Sequence, residues 1–322
     1  MDRRQATLLF AGTALAGPAA WAQAYPGRAV KIINPFPPGS PVDVVARLVA
    51  QKLGEAWNQP VVVDSKPGAG GTMGAELVAR APADGYTLLV TSASTHVIAP
   101  ALRKTMPYDA MKDFTPIALI AHGPTVVVVH PSVPVRTLAE FVQYAKANPG
   151  KVAYASSGSG TILHLTGELF ASRTGTELLH VPYKGAVPAS TDMLGGQVQA
   201  MFDSISNAAP QVKAGKLRAL AVLTPTRSSL MPDVPTAIEA GFPGLDFPAW
   251  IGLFAPANVP RDVVTQTLKA LNAAMAQPET RERLVQAGLV PAMVLEADFA
   301  RTIVANQKVV ADLVRQANIP QQ

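Results

Sequence analysis

The stretch VKIINPFPPGSPVDVVARLVAQKLGE, residues 30–55, decides the fold class. It begins with an apolar, β-branched run at 30–35 and continues into a pattern at 42–55 in which apolar residues recur at helical spacing. Ser40, followed three residues later by Asp43, is typical of a capped helix start. A strand that leads directly into an amphipathic helix predicts a parallel sheet with crossover helices, which is an α/β architecture.

The alternation of strands and helices continues beyond this stretch and is interrupted once. We predict strands at 61–64 and 87–91 on either side of a helix at 72–81. Two apolar runs, at 117–121 and 126–130, then follow each other with too little room for a helix between them, so the chain leaves one sheet for another. The later predicted elements are helices at 138–147, 162–172 and 188–195, strands at 152–156, 178–182, 200–203 and 217–224, an apolar run at 250–255, and helices at 263–276, 279–287 and 297–316.

This pattern predicts two α/β lobes that are joined by two crossings of the chain. We assign 1–22 to a signal peptide, 23–123 to the first part of lobe 1, 124–225 to lobe 2, and 226–322 to the crossing back and the second part of lobe 1. Two such lobes enclose a cleft, and in open α/β sheets ligands bind beyond the carboxyl ends of the strands. We therefore expect the functional residues in the loops that lead from strands into helices.

The first residues resemble a cleaved export signal. A charged start with Arg3 and Arg4 precedes an apolar run at 6–15, and small residues end at Ala22. This run is shorter than the roughly 20 residues that span a bilayer, so export is favoured over a membrane anchor. Both general secretion and twin-arginine export fit these residues.

Composition excludes several classes of protein. The 322 residues include no cysteine, which excludes disulfide scaffolds, cysteine-ligated metal centres, iron–sulfur clusters and thiol chemistry. The formal charge of +5 comes from basic residues that are spread along the chain, so no nucleic-acid partner is indicated. The sequence contains no P-loop, no G-x-S-x-G elbow and no H-x-x-x-H pair. We expect neither a metal site nor a cofactor.

Two loops of lobe 1 carry candidate binding residues. Ser40 and Asp43 can cap the following helix, which explains both without a ligand, whereas Gly39 can leave N–H groups at the helix start open to an anion. The hydroxyls and the imidazole after the strand at 87–91 can cap a helix or bind a carboxylate. The candidates are Phe36, Pro38, Gly39, Ser40 and Asp43 in the first loop, and Ser92, Ser94, Thr95 and His96 in the second.

Lobe 2 adds two further loops and one strand end. The segment at 156–161 combines glycines, which permit close backbone approach, with hydroxyl and N–H donors that suit an anionic or polar ligand. Lys184 either neutralises a carboxylate or is a solvated loop residue, and Asp203 either accepts from a ligand ammonium or caps the next segment of the chain. His164 is either a donor to the cleft or a packed histidine. The candidates are Ser156, Ser157, Gly158, Ser159, Gly160, Thr161, His164, Tyr183, Lys184, Gly185 and Asp203.

Several motifs, taken in order along the chain, match one pattern. In lobe 1 they are Pro35-Phe36-Pro37-Pro38-Gly39, Asp43-x-x-Ala46-Arg47, Lys66-Pro67-Gly68-Ala69-Gly70-Gly71 and Asp84-Gly85-Tyr86-Thr87-Leu88. Later they are His164-Leu165-x-Gly167-Glu168, Val181-Pro182-Tyr183-Lys184-Gly185, Asp192-Met193-Leu194-Gly195-Gly196, Asp233-Val234-Pro235-Thr236 and Gly252-Leu253-x-Ala255-Pro256. The pattern resembles the Bug family, the periplasmic substrate-binding receptors of tripartite tricarboxylate transporters. Ser40 is a departure, because the family usually has a second glycine after Gly39.

This resemblance implies a two-lobed type II periplasmic-binding-protein fold with a ligand cleft between the lobes. It implies a periplasmic receptor that closes on a small carboxylate or amino-acid solute and delivers it to an inner-membrane permease, without catalysis and without a cofactor. The solute would be held through backbone groups and ordered waters near the first loop, and the lobe 2 loops would complete the site. We expect a monomer.

Two other hypotheses are less favoured. A secreted enzyme of the same fold would need a base in the cleft, for which His164 and Asp203 are the candidates. A cytosolic ligand-sensing domain of a transcription regulator is disfavoured by the export signal.

The glycine-rich segment at 68–74 resembles a dinucleotide fingerprint, but Met73 stands where the third glycine is required. Under the family resemblance this segment is a packing turn.

Overall fold

Apolar, β-branched runs form the strands of two separate sheets. The computed structural model describes residues 25–224, 226–245, 249–316, 319 and 321, so the predicted signal peptide lies outside the described residues. The strands are β1 (Val30–Asn34), β2 (Val61–Ser65), β3 (Thr87–Ser92), β4 (Phe114–His122), β5 (Thr125–Val129), β6 (Val152–Ser156), β7 (Leu178–Pro182), β8 (Ala200–Ser204), β9 (Arg218–Val222), β10 (Trp250–Pro256) and β11 (Val290–Leu295).

Helices cover both sheets. They are α1 (Pro41–Trp57), α2 (Thr72–Ala79), α3 (Ala99–Leu102), α4 (Leu138–Ala147), α5 (Ile162–Thr174), α6 (Ala186–Leu194), α7 (Ile205–Lys213), α8 (Arg261–Met275), α9 (Pro278–Gln286) and α10 (Glu296–Gln316). A 3-10 turn at Ala69–Gly71 and a π-helical turn at Ser94–Ile98 interrupt the regular pattern. Within the described ranges, none of these helices is both long and apolar enough to cross a membrane.

The first sheet has six strands in the order β11-β4-β10-β3-β1-β2. Strands β1, β2 and β3 are parallel, whereas β10 is antiparallel to both β3 and β4. Helices α1, α8 and α9 bury their apolar faces on one side of this sheet, and α2, α3 and α10 cover the other. Because Ile251 pairs with Ser92 and Trp250 pairs with His122, the end of β3, the end of β4 and the start of β10 lie at one edge.

The second sheet has five strands in the order β7-β6-β8-β5-β9. Strand β6 is parallel to β7 and β8, and β5 is antiparallel to β8 and β9. Helices α4 and α5 pack on one face, and α6 and α7 pack on the other. Ser156 pairs with Pro182, and Ser204 pairs with Thr125 at the start of β5. The carboxyl ends of β6, β7 and β8 therefore share the edge at which the chain enters this sheet.

Two crossings of the chain place these edges opposite each other. Gly123, between β4 and β5, donates its N–H to the carbonyl of Ala249 in the returning segment at 2.8 Å. Leu223 donates to the carbonyl of Thr125 at 2.8 Å, so the two crossings run side by side. The carboxyl ends of both sets of parallel strands thus meet across the crossings. Ligands of open α/β sheets bind beyond such strand ends.

Side chains of the two sheets also touch beyond the crossings. Leu165 and Leu169 of α5 are buried in the same apolar cluster as Leu102 of α3. Gly288, before β11, lies so close to Ser206 of α7 that an added Cβ would stand 2.7 Å from the Cα of Ser206. The arrangement of the sheets is therefore supported by direct packing as well as by the two connections.

Most predicted elements form where the periodicity placed them, and the α/β fold class is confirmed. Helix α7 was not predicted, because Pro210 and a weakly apolar sequence obscure its pattern. Strand β11 was also not predicted, because it is a largely half-exposed strand at the edge of its sheet, paired only with β4 through a register shift. Both elements are stabilised by neighbours that are distant in sequence.

Candidate functional site

The loop after β1 is held by a buried asparagine and a buried aspartate. Asn34 donates from Nδ2 to Oδ1 of Asp43 at 3.0 Å, and its Oδ1 accepts from the N–H of Phe36 at 3.1 Å. Oδ2 of Asp43 accepts from the N–H of Gly39 at 3.0 Å and from Nε of Arg47 at 2.8 Å. These hydrogen bonds fix the loop at Phe36 and at Gly39. Asn34 was not among the predicted residues, although a polar residue at the end of an apolar strand is a usable signal.

Ser40 and Asp43 have the capping role that the sequence allowed. Ser40 is extended, with φ −68° and ψ 158°, and its Oγ accepts from the N–H of Asp43 at 3.2 Å. Burial acts to raise the pKa of Asp43, but its hydrogen bonds with Arg47, Gly39 and Asn34 outweigh that effect and keep the pKa below its usual value. Asp43 is therefore a buried anion whose oxygens are occupied by the protein. Pro37, Pro38 and Gly39 are the exposed part of this loop.

The glycine-rich segment after β2 packs against this loop. Gly71, at φ +94°, faces Phe36 and Thr95, and an added Cβ would lie 2.8 Å from Cγ2 of Thr95 and 3.0 Å from Cζ of Phe36. Gly74 is equally close to Pro35, where an added Cβ would lie 2.7 Å from the Cβ of that residue. The segment has the geometry of the packing turn that the resemblance implied.

The segment after β3 is buried and forms a π-helical turn. Ser92, Ser94 and Thr95 are all buried, and the π-helical turn begins at Ser94. The hydroxyl of Tyr108 donates to the carbonyl of Thr95 at 2.8 Å, and Oγ1 of Thr95 lies 2.8 Å from Oγ1 of Thr91. Turns of this kind are frequent at functional sites because they redirect a few side chains and backbone groups.

His96 occupies a different place from the one expected. Its ring is fully buried, stacks on Phe254 at 4.1 Å between centroids, and meets Phe114 edge-on at 4.6 Å. Desolvation lowers the pKa of His96 to about 3, so the ring is neutral. The expectation of a direct ligand contact is corrected here: His96 is a core side chain, because its ring is buried against Phe254 and Phe114.

The segment at 156–161 forms a compact loop between β6 and α5. The N–H of Gly158 donates to Oγ of Ser156 at 3.2 Å, and Oγ1 of Thr161 donates to the carbonyl of Gly158 at 2.7 Å. The N–H of Gly160 donates to Nδ1 of His164 at 3.1 Å. Thr161 is the N-cap of α5. Ser157 and Gly158 are half-buried, and Ser159 is exposed at the tip.

Behind this loop lies an aromatic and polar cluster that was only partly predicted. The rings of His164 and His180 stack at 4.0 Å between centroids, and the ring of Tyr154 stacks on His180 at 5.0 Å. Nε2 of His180 lies 2.7 Å from Oγ of Ser156, and the hydroxyl of Tyr154 donates to Oε1 of Glu168 at 2.6 Å. The alternation of strand β7 points His180 inward, although His180 was not among the predicted site residues.

The loop after β7 lies against the loop after β6. Tyr183 donates its N–H to the carbonyl of Ser156 at 3.0 Å, and Gly185 donates to the carbonyl of Ser157 at 3.2 Å. The hydroxyl of Tyr183 donates to Oδ2 of Asp192 at 2.7 Å. Lys184 is exposed and extends from the same loop. These two loops therefore form one continuous surface at the edge of the second sheet.

Asp203 is buried at the end of β8, with only 2% of its surface exposed. Its Oδ1 accepts from the N–H of Ser204 at 2.7 Å, and its Oδ2 accepts from Nδ2 of Asn207 at 2.6 Å. Desolvation raises the pKa of Asp203 to about 7, against the opposing effect of these hydrogen bonds. Asn207, which also donates to Oγ of Ser190 at 2.8 Å, was not predicted. Asp203 therefore changes its charge near neutral pH.

The candidate residues gather at the two facing edges. Contact between them is direct, because an added Cβ on Gly160 would lie 3.4 Å from Cδ1 of Leu102. Across the described ranges, no group of three or more acidic or histidine side chains is placed to hold a metal ion. At these edges the half-buried Ser157 and the exposed Ser159 and Lys184 carry hydroxyl and ammonium donors, which suit an anion or a polar molecule.

Comparison with known proteins agrees with this geometry. A family model described as the tripartite tricarboxylate transporter family receptor matches residues 45–319. The chain belongs to this family. BugT of Bordetella pertussis is 35% identical to this receptor over 287 residues, which cover 89% of this chain and 88% of BugT.

Solved structures extend the likeness to the whole fold. The structure of R. palustris Rpa4515 with adipate matches this receptor with a TM-score of 0.86 and 33% identity, over 92% of this chain and 99% of that one. The structure of MatC from Rhodopseudomonas palustris with bound malate matches with a TM-score of 0.80 and 34% identity, over 90% and 100% of the two chains. The Bug resemblance and the two-lobed periplasmic-binding fold are confirmed.

Proposed function

We propose that this receptor binds a small carboxylate-bearing solute between its two lobes and closes around it. The observation that carries the proposal is the meeting of the two sheet edges, where the loops after β1, β3, β6 and β7 and the end of β8 face each other across the crossings. Helix starts at α1 and α5 contribute partial positive charge at these edges. Closure would surround the solute with N–H groups and hydroxyls in place of water.

We propose that 23–123 and the elements from β10 onward form one lobe and that 124–225 forms the other, in line with the membership of the two sheets. The assignment of 226–322 to the crossing back and lobe 1 is corrected for its first part, because Met231, Ala237 and Leu245 are buried in the apolar clusters of the second sheet and Thr236 is bridged to Val222. The solute-contacting residues would be the exposed or half-buried members of the candidate loops. They are Phe36, Pro38, Gly39 and Ser40 on lobe 1, and Ser157, Gly158, Ser159, Gly160, Thr161, Tyr183, Lys184 and Gly185 on lobe 2. The buried candidates Asp43, Ser92, Ser94, Thr95, Ser156 and His164 would support them.

Two relatives indicate the chemistry of the solute. Rpa4515 was solved with adipate and MatC with malate, and both ligands are dicarboxylates. Asp203 bears on the choice through its charge, because an ionised carboxylate would repel a second carboxylate nearby, whereas a protonated one would not. A dicarboxylate is therefore compatible with Asp203 in its neutral form, and an amino acid with its charged form.

We propose that the protein is not an enzyme. The side chains that could serve as a base are engaged in holding the fold, since Nδ1 of His164 accepts from Gly160 and Asp203 accepts from Ser204 and Asn207. A general base must reach the proton that it removes. Both side chains are buried and are bonded to the protein itself. The geometry therefore gives the enzyme hypothesis no support.

We propose further that residues 1–22 export the chain to the periplasm and that an inner-membrane permease of a tripartite tricarboxylate transporter accepts the solute. The family to which the receptor belongs supports both statements. The closed form, in which the two lobes jointly cover the solute, would be the one that the permease recognises. We expect a monomer, one solute site per chain and no bound cofactor.

Calorimetric titration tests the proposal. The purified protein, freed of any co-purified ligand by partial unfolding and refolding, is titrated with malate, adipate, citrate, glutamate and benzoate. We expect saturable one-to-one binding of one of these at micromolar affinity or better, with the compound recovered unchanged. No binding to any member would refute the carboxylate proposal, and heat that continues as a product accumulates would favour an enzyme.

A further inference from the structure

The imidazoles of His164 and His180 lie behind the loop at 156–161 and bond to it at two points. Nδ1 of His164 accepts from the N–H of Gly160 at 3.1 Å, and Nε2 of His180 lies 2.7 Å from Oγ of Ser156. Ser156 in turn accepts from the N–H of Gly158 at 3.2 Å. The two rings therefore fix the backbone of the proposed binding loop near its start and near its tip.

We propose that His164 and His180 are positioning residues that hold this loop in its solute-binding conformation, and that they do so only as neutral imidazoles. The proposal rests on the proposed function of the loop. A protonated His164 carries a hydrogen on Nδ1 and cannot accept from Gly160. A second charge on His180, whose ring centroid is 4.0 Å from that of His164, adds repulsion between two stacked cations. Acid would thus release the loop and weaken solute binding.

Other groups around the pair modify this behaviour without reversing it. Glu168, on the same helix as His164, places Oε1 3.8 Å from Nε2 of that histidine, which favours the charged ring. That carboxylate also accepts from the hydroxyl of Tyr154, which approaches from β6. Within the described part of the chain, Glu168, Tyr154 and the partner imidazole are the titratable groups in contact with the pair.

Burial supports the neutral state of both rings. Desolvation, opposed in part by Glu168, lowers the pKa of His164, and desolvation together with His164 lowers the pKa of His180 to about 4. A histidine in an unfolded chain has a pKa of about 6.5. The bonded loop therefore binds fewer protons than the released loop between about pH 6.5 and pH 4, so its stability falls as the pH is lowered through that range.

The test separates the polar contact from the size and charge of the rings. His164→Asn can present an oxygen where Nδ1 lies and does not titrate, whereas His164→Leu and His180→Leu keep bulk and lose the contact. His130→Gln is the control, because His130 lies at the far end of β5 and bonds to Ser132. Malate and adipate binding is measured at pH 7.5 and pH 5.5, and the amide of Gly160 is followed by NMR over the same range.

At pH 7.5 we expect each leucine variant to bind the better probe about tenfold more weakly, which corresponds to one lost buried hydrogen bond. At pH 7.5 His164→Asn should bind the probe within about threefold of the wild type. It should lose less affinity at pH 5.5 than the wild type does. Protonation of the probe itself affects both proteins equally, so the difference between them reports on His164. His130→Gln should match the wild type. Unchanged binding by both leucine variants would overturn the proposal.

The amide measurement keeps the proposal separate from the function on which it rests. If neither malate nor adipate binds, the dicarboxylate form of the proposed function fails, and the Gly160 amide still reports whether the loop is held by His164. We expect its chemical shift and hydrogen-exchange protection to change with acid in the wild type and to stay constant in His164→Asn. An amide that is insensitive to both pH and His164→Leu would refute the positioning role, whatever the solute.

Discussion

Two buried aspartates at the facing edges have opposite pKa shifts, and their surroundings explain the difference. Asp43 accepts hydrogen bonds from Asn34, Gly39 and Arg47, which overcome burial and keep its pKa low. Among the described residues Asp203 accepts from two, Ser204 and Asn207, so burial dominates and its pKa rises to about 7. Asp43 therefore stabilises the fold as an anion, whereas an ionised Asp203 costs stability.

Replacement of Asp203 by asparagine tests this assignment. Folded Asp203 binds a proton between about pH 4 and pH 7 that the unfolded chain releases, so its contribution to the free energy of unfolding falls as the pH rises through that range. From pH 5 to pH 8 we expect the wild type to lose on the order of 2 kcal/mol of unfolding free energy relative to Asp203→Asn. Urea unfolding at both pH values measures it.

The exposed Asp262 on α8 provides the control for this experiment. Asp262→Asn changes the same functional groups at a solvated position, so its difference from the wild type should stay nearly constant over the same range. A constant difference for Asp203→Asn as well would show that Asp203 is already ionised at pH 5.

At the scale of elements, helix α5 depends on a glycine in its interior. Gly167 faces the ring of Tyr154, and an added Cβ would stand 2.6 Å from Cζ of that ring. Tyr154 cannot readily move, since its hydroxyl bonds to Glu168 and its ring packs on His180 and Phe202. The close approach of α5 to β6 that this glycine permits places His164 next to the loop at 156–161.

Two glycine-to-alanine substitutions compare this contact with helix propensity alone. Gly167→Ala should lower the free energy of unfolding by about 1–3 kcal/mol, because overpacking exceeds the gain in helix propensity. Gly54→Ala in α1 is the matched control, since its nearest contact would be an ordinary 3.4 Å to the carbonyl of Gln59. It should be neutral or stabilising by up to about 1 kcal/mol. Equal stability of the two variants in urea unfolding would contradict the packing argument.

At the scale of the whole molecule, Gly288 and Ser206 form a contact between the two sheets beside the crossings. An added Cβ on Gly288 would approach the Cα and N of Ser206 at 2.7 Å, and both of these are backbone atoms. Backbone cannot rotate away as a side chain can, so a larger residue must separate the lobes at this point.

Gly288→Ala should therefore favour a more open molecule and bind the solute more weakly. We expect a loss of affinity of about tenfold, corresponding to roughly 1.4 kcal/mol required to restore closure. Gly244→Ala is the control, because Gly244 has a similar φ of +78° against +76° at Gly288 but nothing within 4 Å. Small-angle scattering and calorimetry measure shape and affinity. Equal behaviour of the two variants would show that backbone strain, and not the contact, is responsible.

Local sequence patterns were enough to predict most of the elements and the loops that form the candidate site. Helices α4 and α5 and strands β6 and β7 begin where the periodicity placed them, and Ser40 caps α1 as its spacing to Asp43 predicted. These features depend on residues within a few positions of each other. Such interactions are encoded in a short stretch, because helical and strand periodicity record which face is buried.

Contacts between distant residues were decided only by the tertiary structure. The sequence by itself determined the α/β class, the family resemblance and the loops that could carry a site. The tertiary structure shows that His96 is a core residue, because its ring is buried by stacking on Phe254, which is 158 positions away in the chain. It also brought His180 to Ser156 and Gly288 to Ser206. Side-chain burial and charge depend on these long-range contacts, and no local pattern records them.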